Sequence, residues 1–362
     1  MRRPIPMGQH GRMRLLILGG NAFLGRATAR DAVAHGDAVT CAARGQSGDV
    51  PDGARFVAID RDDPSSYANL DDTYDAIVDV SSRPSHVRGA LTALADRVGH
   101  WVYVSSGSVY TDSATPNQRV DGAPIHDPAP PEVDDPFADG FVNYGPCKVA
   151  CERAVIDTVG HERAFICRAG LIVGPEDRSD RFTYWPERVA RGGEILAPGA
   201  PDDLVQWVDV RDLGAWLALA ARDRIAGTFN GIGVPIPRGE FLDAVATGVA
   251  AAALPDTPAS AGASAPWFTW VPDAFLVEHE VNPWAGPRSL PLWLPLPDYA
   301  GFLTHDGIEA RDAGLVMRSL ADTAKDTLAW ARASRSGDES RKAGLTESDE
   351  TAVLAAWRAS LT

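Results

Sequence analysis

The sequence predicts an α/β fold built on a doubly wound parallel β-sheet, and three observations support this. Short apolar runs alternate with helical stretches of about ten to fifteen residues, which is the pattern of βαβ units. A glycine-rich turn joins the first apolar run to the first helix. The 362 residues are 45% hydrophobic and 23% charged, a globular composition with room for about two domains.

The elements follow one another in regular order from Arg14 onward. The run Leu15-Leu16-Ile17-Leu18 is continuously apolar, as expected for a parallel strand buried on both faces. A helix comes next, and Gly36 stands where a helix C-terminus favours glycine. The pattern predicts strands at 15–18, 38–42, 56–59, 76–80, 101–104 and 164–167. It predicts helices at 23–34, 87–98 and 144–159.

Charge, hydropathy and cysteine content exclude several classes of protein. With 34 basic and 49 acidic residues the net charge is −15, and an acidic surface repels phosphate backbones, so nucleic acid is not expected as a main partner. No apolar run approaches the ~20 residues of a membrane helix. The four cysteines fall mostly in predicted core elements, which is typical of free thiols in a reducing compartment. We therefore expect a cytoplasmic protein that acts on a small molecule.

The glycine-rich turn is a candidate binding site for a dinucleotide. Glycines let the backbone approach a pyrophosphate, and the N-terminus of the following helix offers free N–H groups and the positive end of its dipole. The alternative is a tight strand–helix turn without a ligand. The position after the first strand favours the cofactor site, and the predicted contacts are Gly19, Asn21, Ala22, Phe23, Leu24 and Gly25.

The end of the second strand favours NADP over NAD. NAD sites commonly carry an acidic residue there for the ribose 2′-hydroxyl, whereas this chain has Arg44, whose guanidinium suits a 2′-phosphate. An ordinary solvated arginine is the alternative. Asp60 is suited either to accept from the adenine amino group or to cap a helix. The predicted cofactor site is completed by residues near the ends of the third and fourth strands, namely Arg61, Val80 and Ser81.

Tyr144 and Lys148 form the most informative pair in the sequence. Pro146 fits a first helical turn, so the two residues stand at i and i+4 on one helix face. An ammonium beside a phenol favours the phenolate, and such a tyrosine can exchange a proton with an alcohol or a carbonyl. Ser106 ends the fifth strand, where parallel sheets bind ligands, and is suited to hold a substrate oxygen. A turn serine that satisfies the local backbone is the alternative.

These motifs resemble those of extended short-chain dehydrogenases/reductases of the NAD-dependent epimerase/dehydratase type. The resemblance covers about residues 14–330 and rests mainly on the stretches 19–25, 105–110, 144–148 and 168–175. Shorter elements at 208–212 and 229–230 resemble the substrate-side half of that family. The resemblance implies a Rossmann-type fold in which Tyr144 is the catalytic acid/base. It implies further that Lys148 binds the nicotinamide ribose and tunes Tyr144, while Ser106 orients the substrate oxygen.

Two departures from the family pattern refine this prediction. Ala22 replaces the middle glycine of the usual loop, a variant that resembles an atypical branch with chloroplast RNA-associated members. Some of those proteins lack the catalytic tyrosine and lysine, which this chain keeps, so an enzyme is favoured. Gly107 and Ser108 stand where sugar-nucleotide dehydratases carry an acid pair, so water elimination would lack its acid and base.

Weaker candidates complete the predicted site. Position and resemblance suggest substrate contacts at Ser82, Ser108, Arg181, Tyr184 and Gln206. The eight histidines show no zinc-type spacing, so no metal site is expected. Cys147 lies beside Lys148, which could activate its thiol, but free cysteines in such positions are usually small core residues, and we expect the same here.

The predicted function is an NAD(P)-dependent oxidoreductase that uses a Ser–Tyr–Lys triad. It would transfer hydride reversibly between a carbonyl and an alcohol of a sugar, a nucleotide sugar or a related small metabolite, with NADP preferred and NAD as the alternative. Two other functions stay open: a sugar-nucleotide epimerase with retained NAD, and a non-catalytic nucleotide-sensing or RNA-associated protein. The resemblance suggests a homodimer.

The chain is expected to divide into a tail, two domains and a C-terminal piece. Residues 1–12 are expected to be a disordered tail, and 13–170 with about 206–229 to form the dinucleotide-binding domain. Residues 171–205 and 230–330 are expected to form a smaller substrate-binding domain. Residues 331–362 are expected to be a charged connector and a last helix capped by Thr346.

Overall fold

A computed structural model of the protein describes residues 12–70, 73–138, 140–252, 264–334 and 341–362. The predicted tail therefore lies almost entirely outside the described residues, as do part of the predicted substrate-binding domain at 253–263 and part of the predicted charged connector at 335–340. The described residues form strands β1–β17 and helices α1–α10.

Seven strands build the central sheet and the others form short two-stranded ladders. In chain order the strands are β1 Arg14–Leu18, β2 Ala38–Ala43, β3 Arg55–Ala58, β4 Tyr74–Asp79, β5 Val98–Ser106, β6 Ala164–Ala169, β7 Ile172–Val173, β8 Glu194–Pro198, β9 Leu204–Val205, β10 Val208–Asp209, β11 Gly227–Gly231, β12 Ile236–Pro237, β13 Trp267–Val271, β14 Asn282–Pro283, β15 Gly286–Pro287, β16 Ser289–Leu290 and β17 Ala343–Gly344. The helices are α1 Phe23–Ala34, α2 Pro84–Leu94, α3 Tyr144–Val159, α4 Tyr184–Ala190, α5 Val210–Asp223, α6 Arg238–Ala251, α7 Asp273–Glu278, α8 Ile308–Asp312, α9 Leu320–Ser334 and α10 Glu347–Ser360.

The central sheet confirms the predicted doubly wound α/β fold. Its strand order is β11-β6-β5-β4-β1-β2-β3, and every neighbouring pair is parallel. All six predicted strands are present in it. The seventh, β11, was missed because Gly227-Thr228-Phe229-Asn230-Gly231 contains no apolar run. It pairs with β6 at the edge of the sheet, where a strand needs less apolar surface.

Two elements have ends that differ from the predicted ones, because those ends depend on capping or polar residues and not on the hydrophobic pattern. The helix predicted at 87–98 starts earlier, because Pro84 occupies its first turn, and ends at Leu94. The strand predicted at 101–104 extends over Val98–Ser106, since its ends carry small and polar residues that the apolar pattern does not mark. Helices α1 and α3 have the predicted bounds.

The side chains of β1 point alternately to the two faces of the sheet, and both faces are covered by helices. Leu15 and Ile17 belong to one core, which α1 and α5 cover, and Leu16 and Leu18 belong to another, which α2 and α3 cover. Successive side chains of a strand point to opposite faces, so four apolar residues in a row serve both cores. In parallel sheets of this kind, ligands bind outside the carboxyl ends of the strands.

A further core lies beyond the sheet and draws on the later part of the chain. It contains large buried side chains such as Trp185, Phe241 and Trp293. The C-terminal helix α10 packs into it through Val353 and Leu354. As expected, Thr346 caps that helix, since its side chain accepts the N–H of Asp349. The last helix is therefore part of this core in the structure.

Candidate active site

The glycine turn packs so closely that side chains are excluded at its glycines. Gly19 has φ +95°, and a Cβ built on it would lie 2.6 Å from a methyl group of Val80. A Cβ on Gly25 would lie 2.3 Å from the Gly19 carbonyl oxygen. Ala22 has φ −116° and ψ 155°, an extended conformation open to any residue, which explains why alanine is accepted there.

The same turn leaves the start of α1 free to bind an anion. No side chain in the described part of the chain caps the helix, so N–H groups of its first turn keep their hydrogen-bonding capacity. Asn21 is 3% exposed, and its amide donates to the Gly48 carbonyl at 3.2 Å, which ties the loop after β2 to the turn. A close-packed glycine turn with an uncapped helix N-terminus fits a dinucleotide pyrophosphate.

Lys148 is buried beneath the sheet edge and fixed by two backbone carbonyls. Its Nζ donates to the Val104 carbonyl at 2.7 Å and to the Ser81 carbonyl at 3.0 Å. The ammonium carries three hydrogens, so one remains for another acceptor. Nζ lies 6.0 Å from the centre of the Tyr144 ring, so both side chains are on the same side of α3, as the spacing predicts.

Tyr144 opens α3 and is partly exposed beside two aromatic residues. Phe137 stacks on the Tyr144 ring with centroids 5.4 Å apart and 22° between the planes. Phe141 meets the same ring edge-on at 6.2 Å. Both phenylalanines are themselves largely exposed, so the loop before α3 forms an apolar flank around the phenol.

Ser106 lies at the end of β5, next to the start of α3. Its hydroxyl accepts the N–H of Ser108 at 3.1 Å and contacts the Ser108 hydroxyl at 3.2 Å. A Cβ on Gly145 would lie 2.3 Å from the Ser108 carbonyl oxygen, so this turn touches the first turn of α3. Ser106 thus caps its own turn, and the turn lies against the helix residue that follows Tyr144.

The other predicted cofactor residues differ in what their side chains do. Arg44 is exposed just after β2, and it contributes to the low pKa of Asp62, after that carboxylate's hydrogen bond to His86. Asp60 is exposed and accepts the N–H of Asp62 at 3.1 Å. The Arg61 guanidinium is bound to buried Asp79 by two hydrogen bonds of 2.7 and 2.8 Å, so its side chain is occupied inside the protein.

Two of the predicted substrate residues lie in the interior. Tyr184 is 0% exposed, packs against Trp185 and lies so close to Gly344 that a Cβ there would be 2.3 Å from its ring. Gln206 is also 0% exposed, and its amide is fully used by the backbone of Gly233 and His305. Their positions in the sequence predict that they line the cleft, but sequence position does not show which residues their side chains contact.

Arg181 lies near Tyr144, the predicted catalytic tyrosine. Burial lowers the pKa of its guanidinium, while Asp177 and the Tyr144 phenol act in the opposite direction. The cation lies 5.4 Å from the centre of the Trp284 ring, and its Nε donates to Ser179 at 3.1 Å. Its terminal nitrogens form no hydrogen bond to the described residues, so they are suited to an anionic group of a ligand. Ser82 is partly exposed just after β4.

A buried polar chain behind Ser106 was not predicted. Ser105 donates to Glu152, which holds Arg168 through contacts of 2.9 and 3.1 Å. Arg168 donates to the Tyr110 hydroxyl at 3.2 Å, and that hydroxyl donates to Asn230 at 2.7 Å. The chain links β5, α3, β6 and β11 at one edge of the sheet. The sequence signal for this buried network is Glu152, an acidic residue that lies one turn after Lys148 on the buried face of α3.

The four cysteines behave as core residues. All are free and buried. Burial raises the pKa of Cys151 to about 11 and also raises that of Cys147. Thiols of this kind are poor nucleophiles, in agreement with the core interpretation of Cys147. Among the described residues, no cluster of three or more His, Cys, Asp or Glu could hold a metal ion.

The central sheet, the glycine turn and the tyrosine–lysine pair define an enzyme of the short-chain dehydrogenase/reductase type. The model of the NAD dependent epimerase/dehydratase family matches residues 15–230. That match spans more than half of the chain, and the chain therefore belongs to this family. No curated protein sequence matches the chain. In the described part of the chain, no helix has the length and apolarity needed to cross a membrane.

Several solved structures have a similar fold. The Bordetella bronchiseptica enzyme WbmH, solved with NAD+, has a TM-score of 0.62 at 18% identity, covering 89% of this chain and 99% of its own. UDP-N-acetylglucosamine 4-epimerase from Bacillus cereus has a TM-score of 0.61 at 12% identity, covering 90% and 98%. Thermus thermophilus UDP-glucose 4-epimerase, solved with NAD, has a TM-score of 0.58 at 18% identity, covering 89% and 100%. At these identities the likeness concerns the fold.

Replacing Glu152 with alanine should destabilise the protein strongly. The substitution leaves the Arg168 cation buried without its partner, and breaking a buried pair costs about 3–5 kcal/mol. The matched control is Glu309→Ala, which removes one carboxylate partner of exposed Arg119 and should destabilise the protein far less, because exposed ion pairs contribute little. Urea unfolding at pH 7 measures both free energies, and equal losses in the two variants would contradict the assignment.

Proposed function

We propose that the protein is a nicotinamide-dependent carbonyl/alcohol oxidoreductase in which Tyr144 is the acid/base and Lys148 and Ser106 assist it. The observation that carries this proposal is the fixed ammonium of Lys148. It lies next to the Tyr144 ring and below the carboxyl edge of β4 and β5. A cation in this position stabilises a phenolate and keeps a hydrogen free for a ribose hydroxyl.

The glycine turn supports the cofactor in this proposal. The backbone of the turn and the first turn of α1 would hold the pyrophosphate, with Val80 and Ser81 along the path to Lys148. Arg61 would take part only through its backbone, because its guanidinium is bound to Asp79. When bound, the nicotinamide supplies or accepts the hydride.

The protein's own residues would handle the proton and orient the oxygen. In the reducing direction, the substrate carbon gains a hydride while the Tyr144 hydroxyl gives its proton to the carbonyl oxygen, which becomes the alcohol. The Lys148 ammonium favours the phenolate that this transfer leaves. The Ser106 hydroxyl would donate to the oxygen as charge develops on it, a role that needs its contact with Ser108 to exchange. The reverse steps oxidise the alcohol.

A nucleotide sugar is the substrate class that fits best. The Arg181 cation near Tyr144 suits a diphosphate, and the hydroxyls of Ser106 and Ser108 suit a sugar ring. Structures of similar fold include epimerases of UDP-sugars, which supports the same class. The phenylalanines that flank Tyr144 add an apolar surface on which a sugar ring can pack.

NADP is our preferred cofactor because of the charge just after β2. Arg44 stands exposed where a carboxylate would repel a 2′-phosphate, and it forms no hydrogen bond or ion pair with the described residues. The nearby Asp62 is already bonded to Arg83 and His86. The guanidinium is therefore available for a phosphate.

A nucleotide-sugar epimerase with retained NAD is the second candidate, and one contact favours it. Glu176, in the loop after β7, forms ion pairs of 2.7 Å with Arg26 and 2.8 Å with Arg30, both on α1. These pairs hold the loop against the helix that would carry the pyrophosphate and would slow cofactor release. An epimerase returns its hydride to the substrate, so nucleotide retained after purification and turnover without net absorbance change would favour it over a reductase.

Tyr144→Phe should lower kcat by about 10² or more, because it removes the proton donor while leaving the ring and its stacking on Phe137. The measurement is NADPH oxidation with a panel of UDP-sugar carbonyl substrates, together with UDP-glucose and UDP-galactose interconversion. Tyr299→Phe, at an exposed position, is the matched control and should leave both rates unchanged. An equally active Tyr144→Phe protein would instead support a role without catalysis, such as nucleotide sensing.

Arg44→Ala should weaken NADPH binding by about tenfold, since a charged hydrogen bond to a phosphate contributes roughly 1.5–3 kcal/mol before solvent exposure reduces it. NADH affinity should stay the same, which makes NADH the internal control. Fluorescence titration of both dinucleotides with both proteins measures the effect. If the wild type binds NADH at least as tightly as NADPH and the substitution changes neither, NADP is the wrong cofactor.

A further inference from the structure

His305 lies at the sheet edge where the candidate active site is built. A Cβ built on Gly107, the residue directly after Ser106, would lie 3.7 Å from His305 Nε2. The same point is 3.8 Å from the carbonyl oxygen of Ala169, the last residue of β6. The imidazole therefore stands beside the carboxyl ends of β5 and β6, where parallel sheets bind ligands.

The segment that carries His305 is fixed from several sides. The Gln206 amide accepts the His305 N–H at 3.0 Å and donates to the His305 carbonyl at 2.7 Å. Asn230 donates to the next carbonyl, that of Asp306, at 2.9 Å. The imidazole itself packs against the Tyr110 ring, with centroids 4.8 Å apart and the planes tilted by 34°. Gln206, expected from sequence to touch the substrate, instead holds the backbone of this histidine.

The imidazole has hydrogen-bonding capacity that the protein leaves unused. His305 is 5% exposed, and its Nδ1 is buried without a hydrogen-bond partner among the described residues. Its Nε2, which faces Gly107, also forms no hydrogen bond to a described residue. Burial, and then the nearby Arg168 cation, lower the pKa of His305 to about 4. The ring is therefore neutral at pH 7, with one nitrogen as donor and the other as acceptor. Unsatisfied polar atoms in such a place require an explanation.

We propose that His305 determines substrate specificity by hydrogen-bonding a hydroxyl of the sugar ring next to the reacting carbon. The inference rests on the proposed function, because it assumes that a nucleotide sugar reacts beside Ser106. Three neutral groups belong to or border this turn: the hydroxyls of Ser106 and Ser108, which flank Gly107 in the chain, and the imidazole, whose Nε2 lies 3.7 Å from a Cβ built on Gly107. Neutral donors and acceptors suit a hydroxyl better than a phosphate, and Gly107 adds no side chain between the imidazole and the turn that carries the two hydroxyls.

The test compares binding of UDP-glucose with binding of UDP, which lacks the sugar. His305→Phe keeps a flat ring against Tyr110 but cannot hydrogen-bond, so it should weaken UDP-glucose binding by about tenfold and leave UDP binding unchanged. His305→Gln offers an amide in place of the imidazole and should recover most of the affinity. Calorimetric titration of the NADPH-loaded proteins gives these constants without turnover, and NADPH affinity itself should not change.

A second variant guards against misfolding at His305. Gly107→Ala adds a methyl group at ordinary contact distance from Nε2, so the protein should fold while the methyl group covers the imidazole, and UDP-glucose binding should again weaken selectively. Equal UDP-glucose affinity in wild type and His305→Phe overturns the role of His305 and leaves the proposed function standing. Parallel loss of UDP and UDP-glucose binding assigns the histidine a structural role and also overturns it. A wild type that binds NADPH but neither uridine nucleotide overturns the substrate class and this inference together.

Discussion

Burying the ammonium of Lys148 would cost several kcal/mol if its hydrogens lacked acceptors, and the site is arranged around that requirement. Carbonyl oxygens from two neighbouring strand ends, at Val104 and Ser81, meet the ammonium. Lys148 lies one helical turn after Tyr144. The hydrogen bonds of the ammonium therefore also fix the Tyr144 ring near the carboxyl ends of β4 and β5. The position of the catalytic candidate thus follows from the need to solvate a buried charge.

Asp79, the last residue of β4 and two residues before Ser81, supports this arrangement. Asp79 is fully buried, accepts the N–H of Ser81 at 3.0 Å and is paired with the Arg61 guanidinium. The Ser81 carbonyl also accepts the Tyr103 hydroxyl at 3.0 Å. Arg61, which the sequence suggested as a cofactor contact, therefore acts on the backbone that holds Lys148. A residue that follows a strand end can thus support the site by fixing its backbone from the interior, without contacting a ligand in the cleft.

Local patterns in the sequence were enough for the fold and for the tyrosine–lysine pair. Helices α1 and α3 were predicted with their observed bounds, because glycine and proline mark their ends and their spacing is local. The sheet followed from apolar runs that must be buried on both faces. The strand β11 could not be found this way, since it relies on its pairing with β6 rather than on its own residues.

Long-range contacts account for what sequence reasoning missed in the site. The hydrogen bonds from Gln206 to His305 join residues 99 positions apart, and those between Tyr110 and Asn230 join residues 120 apart. No pattern within a window of one helix or strand contains such information. The sequence position of Gln206 therefore suggests a substrate contact, while no local pattern marks His305, whose backbone Gln206 holds. Polar residues inside apolar elements, such as Glu152, are the trace that these networks leave in a sequence.

The most direct test of the account is a fluorescence titration of NADPH into the wild type and into Lys148→Met, whose side chain has similar length but no charge. We expect the wild type to bind the dinucleotide and the variant to bind it at least about tenfold more weakly, because a charged hydrogen bond in a buried site is lost. Thermal unfolding of both proteins checks that the variant is folded. Equal NADPH affinity in two folded proteins would mean that this lysine only packs beneath the sheet edge, and the proposed active site would be contradicted.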